Sequence, residues 1–384
     1  IVSESYDLTV ALLDADGELM AQGTYSVPVF MGTAPATLNH MLRKYPAGTL
    51  QPGDVIITND PWLGTGHTFD INVMRPVFRE GRIVAYVISI THLPDVGGLG
   101  FGAAAQEIYH EGLRLPICKL FDAGRQTDFI LELIRTNVRA PDQVIGDLMA
   151  NVTATKAGED MLSAFLAEYD LQDFAALSEQ IRQRSEQAAR ARIRQMNDGN
   201  YKNSIQIEGA DGPLTLACSV HKMEDTLSVD FEGTAPSVRQ GINVPFCYTR
   251  AMVLYSIKCL TVPELPNNGG SVVPVNVTAP DGCLLNAQPP SPTGARHMIG
   301  HFVSPLLFGA LANAVPDQIQ ADCGMLDLMT FQGRHRDGHD VSTIYFASGG
   351  FGALDGRDGA ETTPGPSNMA VVPVEIWETL TSTI

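Results

Sequence analysis

Apolar and polar positions alternate from Asp7 to Gln22 around Asp16-Gly17, a dipeptide that accepts the positive backbone angles of a tight turn, so the chain is expected to open on a β-hairpin. Thr33 to Tyr45 reads as a short helix, with Thr33 as its cap and Pro35 in the first turn, where a missing N–H costs nothing. The runs Asp54 to Ile57 and Ile83 to Ile90 are short, rich in β-branched residues and closed by turn residues, which predicts two buried strands. Each leads into a loop carrying His and Asp. From Pro141 to Tyr169, Val144, Leu148, Val152, Met161, Leu162, Phe165, Leu166 and Tyr169 recur at helical spacing, weakened by Gly146 and Gly158 at about 1 kcal/mol each relative to Ala. A further helix is expected from Phe174 to Met196, with Leu177, Ile181, Ala188, Ala189 and Ile193 on one side, an arginine row forming a solvated face, and a stop at Asp198-Gly199.

Beyond Gly199 the period becomes two, through Leu214, Leu216, Cys218 and Val220, a turn near Glu224-Asp225, then Leu227, Val229 and Phe231. Met298 to Ala314 predicts one more buried helix, after Gly-, Pro- and Asn-rich clusters that bound short segments. No long repeat interrupts this order. The expected fold class is α+β, with β-rich N-terminal and C-terminal portions around a helical middle, divided at residues 1–140, 141–199 and 200–384.

The 384 residues, 44% hydrophobic and 18% charged, suffice for a large core, so disorder is not expected. A net charge of −18 argues against nucleic acid and against anionic membrane surfaces as partners. The longest apolar stretch, Phe302 to Val315, is broken by Ser304, Pro305 and Asn313, which favours a buried helix over a membrane span. Six cysteines without a Cys-x-x-Cys pair suit reduced thiols and a cytoplasmic location. The chain opens on Ile1 with no secretory-type segment, and is read as a piece of a longer protein.

Candidate chemistry concentrates in Asn59-Asp60-Pro61-Trp62-Leu63-Gly64-Thr65-Gly66-His67-Thr68-Phe69-Asp70 and in His92-Leu93-Pro94-Asp95-Val96-Gly97-Gly98. Both contain His-x-x-Asp. Imidazoles and a carboxylate suit zinc, manganese or iron, and two His with one Asp would leave positions for water and substrate. The competing reading is that such residues only hydrogen-bond in turns: Asp60 before Pro61 is a common turn initiator, and Asp95 suits the glycine-rich turn behind it.

Those two segments, with Glu107-Ile108-Tyr109-His110-Glu111-Gly112-Leu113-Arg114-Leu115-Pro116, Asn137-Val138-Arg139, Gly146-Asp147-Leu148, Asp230-Phe231-Glu232-Gly233-Thr234-Ala235-Pro236 and Gly349-Gly350-Phe351-Gly352-Ala353, resemble the B-type subunits of the hydantoinase, 5-oxoprolinase and acetone carboxylase family over nearly the whole chain. The resemblance implies a divalent cation, Mn2+, Zn2+ or Fe2+, held by His67, Asp70 and His92. It also implies a hetero-oligomer in which an A-type partner uses ATP to phosphorylate a poorly reactive carbonyl. The B-type chain would then complete hydrolysis of a cyclic amide with metal-activated water, or, alternatively, carboxylation of a ketone. Asp60 and Asp95 are candidate catalytic residues, as orienters of a ligand or as proton acceptors. Thr68-Phe69 stands where the family often has Leu-Pro, and a single His where many members have two, which bears on substrate more than on ligands.

Other motifs are weaker. His297 and His301 would share a helix face, but the Glu of a zinc peptidase His-Glu-x-x-His is absent, so they read as pocket or packing residues. His335 and His339 flank Asp337-Gly338, which suggests an exposed turn. Glu107 and Glu111 are spaced to act as acid or base, or to orient Arg114 or Lys119. The glycines from Gly349 to Gly359 read as turns between strands. No Gly-x-Ser-x-Gly elbow and no phosphate-binding Gly-x-x-x-x-Gly-Lys loop occurs.

Overall fold

The computed structural model describes residues 6–322, 324, 326–338, 340–361, 375, 378 and 379. Its larger sheet contains seven antiparallel strands: β1 (Leu8–Asp14), β2 (Leu19–Gln22), β3 (Val55–Thr58), β4 (Asp70–Arg79), β5 (Arg82–His92), β6 (Cys118–Asp122) and β7 (Arg125–Gln126), in the order β2-β1-β5-β4-β3-β6-β7. The hairpin expected around Asp16-Gly17 is β1–β2, with Gly17 at φ 85° and the Asp14 carboxylate accepting the Asp16 and Glu18 N–H groups. Strand β4 was not foreseen. Arg75, Pro76 and Arg79 interrupt its apolar run, yet each finds room: β3 pairs only with Asn72 to Met74, so no β3 carbonyl waits for the N–H that Pro76 lacks.

Helices α1 (Ala34–Lys44), α2 (Asp128–Asn137), α3 (Pro141–Glu168) and α4 (Ala175–Ile193) follow the predicted periodicity, α2 excepted. Thr33 precedes α1 as expected but does not cap it with its side chain. Its own backbone is already helical, and its hydroxyl donates to the Phe30 carbonyl at 3.3 Å. The sheet is covered on both sides, which removes the alternation from its central strands. Val55, Ile57, Ile71 and Val73 pack on α2 and α3, whereas Ile56, Met74, Tyr86 and Ile88 face the main core. Gly158 lets α3 approach: a Cβ there would lie 2.8 Å from Val87 Cγ1. Helix α4 buries Ser178, Ser185, Ala189 and Ile193, not the expected Leu177, because its contact with the 3-10 turn Gly269–Val272 is close and admits only small side chains. Two of its arginines, and Arg194 just past its end, pair with carboxylates: Arg182 with Glu179, Arg190 with Glu186 and Asp225, and Arg194 with Asp225.

A second sheet, ordered β11-β10-β9-β8, consists of β8 (Gly199–Ile207), β9 (Leu214–Met223), β10 (Thr226–Asp230) and β11 (Val275–Thr278), the last parallel to β10. Its buried residues, Leu216, Val220, Leu227 and Val229, join the main core around helix α5 (Phe246–Thr261). The single helix expected over Met298 to Ala314 is two, α6 (His297–Gly300) and α7 (Val303–Leu311). Pro305 cannot donate to the His301 carbonyl, so the α-helical ladder is broken there. A hairpin of β12 (Leu326–Arg334) and β13 (Asp340–Ser348) completes the mixed helix and strand fold, in agreement with the expected α+β class. Among the described residues no helix is long and apolar enough to cross a membrane. Cys323 and His339 lie outside the described residues.

Candidate metal centre

Strands β4 and β5 form a hairpin whose register sets Asp70 directly opposite His92. Cross-strand partners project to the same face of a sheet, so the carboxylate and imidazole meet by construction. His92 Nδ1 lies 3.2 Å from Asp70 Oδ1, and His67, in the turn leading into β4, brings Nε2 to 2.8 Å from Asp70 Oδ2. Only His67 is in a loop. Asp70 opens one strand and His92 closes the next, a correction to the expectation that all three sit in loops after strands. Asn59 braces the His67 turn: its amide donates to the Thr68 and Leu113 carbonyls and its oxygen accepts the Leu115 N–H. Gly66, at φ 94°, is required because a Cβ would lie 2.6 Å from Arg296 Cδ.

One ligand atom from each of His67, Asp70 and His92 can be chosen with all three within 4.8 Å of one another. All three residues are at most 3% exposed. His67 Nδ1, Asp70 Oδ1 and His92 Nε2 are sealed from solvent with no hydrogen-bond partner. Such atoms each cost about 1–3 kcal/mol when left unsatisfied, so three together mark a place where a partner belongs. The donor set, two imidazoles and one carboxylate, fits a divalent transition metal. Protonation favours it as well. Burial, helped by the Arg296 charge, lowers the His67 pKa to about 3, keeping its lone pair free. Burial alone would raise the pKa of Asp70, but His67, His92 and Arg296 together hold it well below the usual range.

Three neighbours of this cluster were not legible in the motifs. Arg296 donates from Nη2 to Asp70 Oδ2 at 2.9 Å and from Nε to the Thr65 carbonyl at 2.5 Å, and its guanidinium lies over the Tyr248 ring at 3.7 Å. Asp7 places Oδ2 3.6 Å from His92 Nδ1, and burial raises its pKa to about 6. Phe101 packs edge-on against both imidazoles, with ring centres 5.7 Å and 5.0 Å away. No spacing rule connects residues so distant in sequence. Together they border a cavity of about 50 Å³, closed on its apolar side by Phe30, Met252, Leu328 and Phe346. That is room for an ion and a few waters.

His297 and His301 open onto the same cavity but are not part of the three-residue cluster. His297 stacks on Phe101 with ring centres 5.2 Å apart, and burial lowers the pKa of both, that of His301 to about 4. His335 lies 3.0 Å from Asp337, away from the cavity lining.

Asp60 and Asp95 are placed elsewhere, and neither lines the cavity. Asp60 Oδ1 accepts the Trp62 N–H at 3.0 Å, while Oδ2 faces Arg114 Nε at 3.7 Å. Asp95 is fully buried: Oδ1 accepts the Gly97 N–H at 2.9 Å and Arg139 Nη1 at 2.8 Å, and Oδ2 accepts the Arg139 N–H. Glu107 and Glu111 contact neither Arg114 nor Lys119. Glu107 pairs with His110, and buried Glu111 accepts the Thr293 and Gly294 N–H groups, which tethers the segment before Arg296; burial raises its pKa to about 7. The Gly349 to Gly359 stretch is turn-like, with bridges Phe351 to Ala360 and Leu354 to Arg357.

A profile of the Hydantoinase B/oxoprolinase family matches residues 1–384. The chain is 28% identical to the caprolactamase subunit beta of Pseudomonas jessenii over 92% of its own length and 63% of that protein. It is 29% identical to the 5-oxoprolinase of Saccharomyces cerevisiae over 75% of its length, covering 24% of that protein. The structure of the ATP-dependent caprolactamase from Pseudomonas jessenii superposes with a TM-score of 0.89 at 26% identity, covering 98% of this chain and 67% of that one. Nucleotide-free acetone carboxylase shares the fold, with a TM-score of 0.87 at 18% identity over 99% of this chain and 54% of that one. The chain thus spans under two thirds of several relatives. By this family-wide match, it belongs to the Hydantoinase B/oxoprolinase family.

Proposed function

We propose that this chain is the B-type catalytic part of an ATP-dependent hydrolase of cyclic amides, working with an A-type subunit that binds ATP and activates the substrate. The observation that carries the reading is the buried trio His67, Asp70 and His92, with three unsatisfied atoms beside a small cavity. The relatives named caprolactamase and 5-oxoprolinase support the substrate class, since both names denote cyclic amides.

The chemical obstacle in a lactam is amide resonance. Phosphorylation of the carbonyl oxygen by the partner converts the carbonyl carbon into a better electrophile; water adds to it, the C–N bond breaks as the ring nitrogen takes up a proton, and a second water hydrolyses the resulting acyl phosphate to the ring-opened acid and inorganic phosphate. A divalent cation held by His67, Asp70 and His92 would act as a Lewis acid and lower the pKa of water toward about 7. The protein's own contribution is preorganisation. Asp70 stays ionised beside Arg296, His67 stays neutral, and Phe101, Phe30 and Phe346 give the cavity an apolar wall. Asp60 and Asp95 shape the two loops in this reading and handle no proton.

The test is to incubate the chain with its A-type partner, ATP, labelled bicarbonate and, in separate reactions, ε-caprolactam, 5-oxoproline and a simple ketone. Ring-opened acid free of label is expected. Label in a carboxylated product would replace hydrolysis by carboxylation.

A further inference from the structure

Helix α5 borders two cavities. Its Tyr248, Met252 and Tyr255 line the one at the metal centre, whereas Cys247 and Arg250 line a second, of about 620 Å³, which shares no lining residue with the first. Arg250 is half-buried there, and burial is the one influence on its pKa, lowering it. Its one hydrogen bond among the described residues runs from Nη1 to the Gly32 carbonyl at 3.3 Å, and it forms no ion pair with any of them. Other buried arginines differ: Arg75 faces Glu159 at 3.6 Å and Arg296 faces Asp70 at 2.9 Å. Carboxylates are not scarce in a chain with 43 Asp and Glu against 25 Lys and Arg. A guanidinium drawn out of water without one therefore marks a place for an anion from outside.

The other lining groups restrict which anion. Asp16 and Glu18, both exposed, border the same cavity from the β1–β2 turn, and His40, whose pKa burial lowers, adds no positive charge at neutral pH. Glu18 also lies 3.9 Å from Arg182, so Asp16 is the freer of the two carboxylates. A dianion such as phosphate would meet one cation and two anions here. A zwitterion satisfies both signs, because a carboxylate fits the remaining N–H groups of Arg250 in paired hydrogen bonds while an ammonium suits Asp16 and Glu18. Trp62 and Phe246 add aromatic surface for a methylene chain, and the Trp62 indole is held by Nε1–H, which donates to the Ala287 carbonyl at 2.8 Å.

We propose that this second cavity binds a small amino acid as its zwitterion, with the carboxylate on Arg250 and the ammonium toward Asp16 and Glu18. Ring opening of a cyclic amide yields a molecule of this class. The match to a product, though not the site itself, rests on the proposed hydrolysis.

It is tested by calorimetric titration of the purified chain with ε-aminocaproate, caproate and inorganic phosphate, repeated on Arg250→Met, on Asp16→Asn combined with Glu18→Gln, and on His67→Ala. Near-ultraviolet circular dichroism confirms that each variant is folded. ε-Aminocaproate is expected to bind, caproate about two- to fivefold more weakly, and phosphate most weakly. Arg250→Met should weaken ε-aminocaproate about 10- to 100-fold, the combined variant should erase its advantage over caproate, and His67→Ala should bind it like the unmodified protein. No binding of ε-aminocaproate, or equal affinity in Arg250→Met, would overturn the proposal. So would caproate or phosphate binding as tightly as the amino acid, or loss of binding in His67→Ala, which would put the ligand in the metal cavity. Should Arg250→Met not fold, modification of Arg250 by phenylglyoxal in the unmodified chain decides: ε-aminocaproate is expected to slow it, and an unchanged rate rejects the site. Failure of the hydrolysis itself would show in the turnover assay and leave these affinities as they are.

Discussion

The two His-x-x-Asp segments are alike on paper and opposite in use. In the first, His67 and Asp70 both reach the cavity. In the second only His92 does, and Asp95 is consumed by the Gly97 N–H and by Arg139. The cause lies in the backbone. Asp70 is the first residue of a strand, aligned with His92 by the β4–β5 register, whereas the chain leaves the sheet after His92 through Leu93-Pro94, and Asp95 falls into a turn rich in N–H donors. A carboxylate is available for chemistry only where the local backbone does not claim its lone pairs.

The largest effect should come from His67→Ala or His92→Ala. Either is expected to weaken cation binding by more than about 100-fold, beyond what loss of an outer contact produces, measured by titration of the metal-free protein. Asp95→Ala should separate the two segments most sharply. It strips a buried carboxylate from two backbone N–H groups and a partly exposed Arg139, costing about 3 kcal/mol in chemical denaturation while leaving cation affinity within severalfold.

Glu111, which ties the second segment's neighbourhood to the Thr293-Gly294 turn, adds a pH dependence. Its folded pKa of about 7 lies above the usual 4.5, so the native state binds the extra proton. Stability from this group is present in full below about pH 4.5 and is lost as pH rises toward 7, by up to about 3 kcal/mol. Glu111→Gln should flatten the acid-side slope of stability measured from pH 5 to 8. The smallest effect is expected of Asp60→Ala: about 1 kcal/mol from the lost Trp62 contact and no change in cation affinity, checked by the same denaturation and titration experiments.

How much of this was readable beforehand follows the same division between local and distant causes. Strands β3 and β5 and helices α1, α3 and α4 were legible because their periodicity and end signals are local. Strand β4 was hidden by Arg75 and Pro76, whose accommodation depends on Thr155 in α3 and on where β3 stops. The split between α6 and α7 could have been anticipated from Pro305. His67, Asp70 and His92 could be nominated from residue type and family likeness. Asp7 and Arg296 could not, since register and tertiary packing alone bring them to the cluster. The glycines of the two motifs share that character. A Cβ on Gly112 would lie 2.3 Å from the Val96 carbonyl oxygen, so the second His-x-x-Asp segment and the Glu111-Gly112 segment cross backbone to backbone, a contact that no periodicity encodes.

The most direct measurement is elemental analysis of three proteins purified in parallel: the unmodified chain, Asp70→Ala and Asp95→Ala. About one manganese, zinc or iron per chain is expected in the first and third and none in the second. Metal retained in Asp70→Ala, or missing from the unmodified chain after incubation with all three ions, would contradict the assignment of the centre.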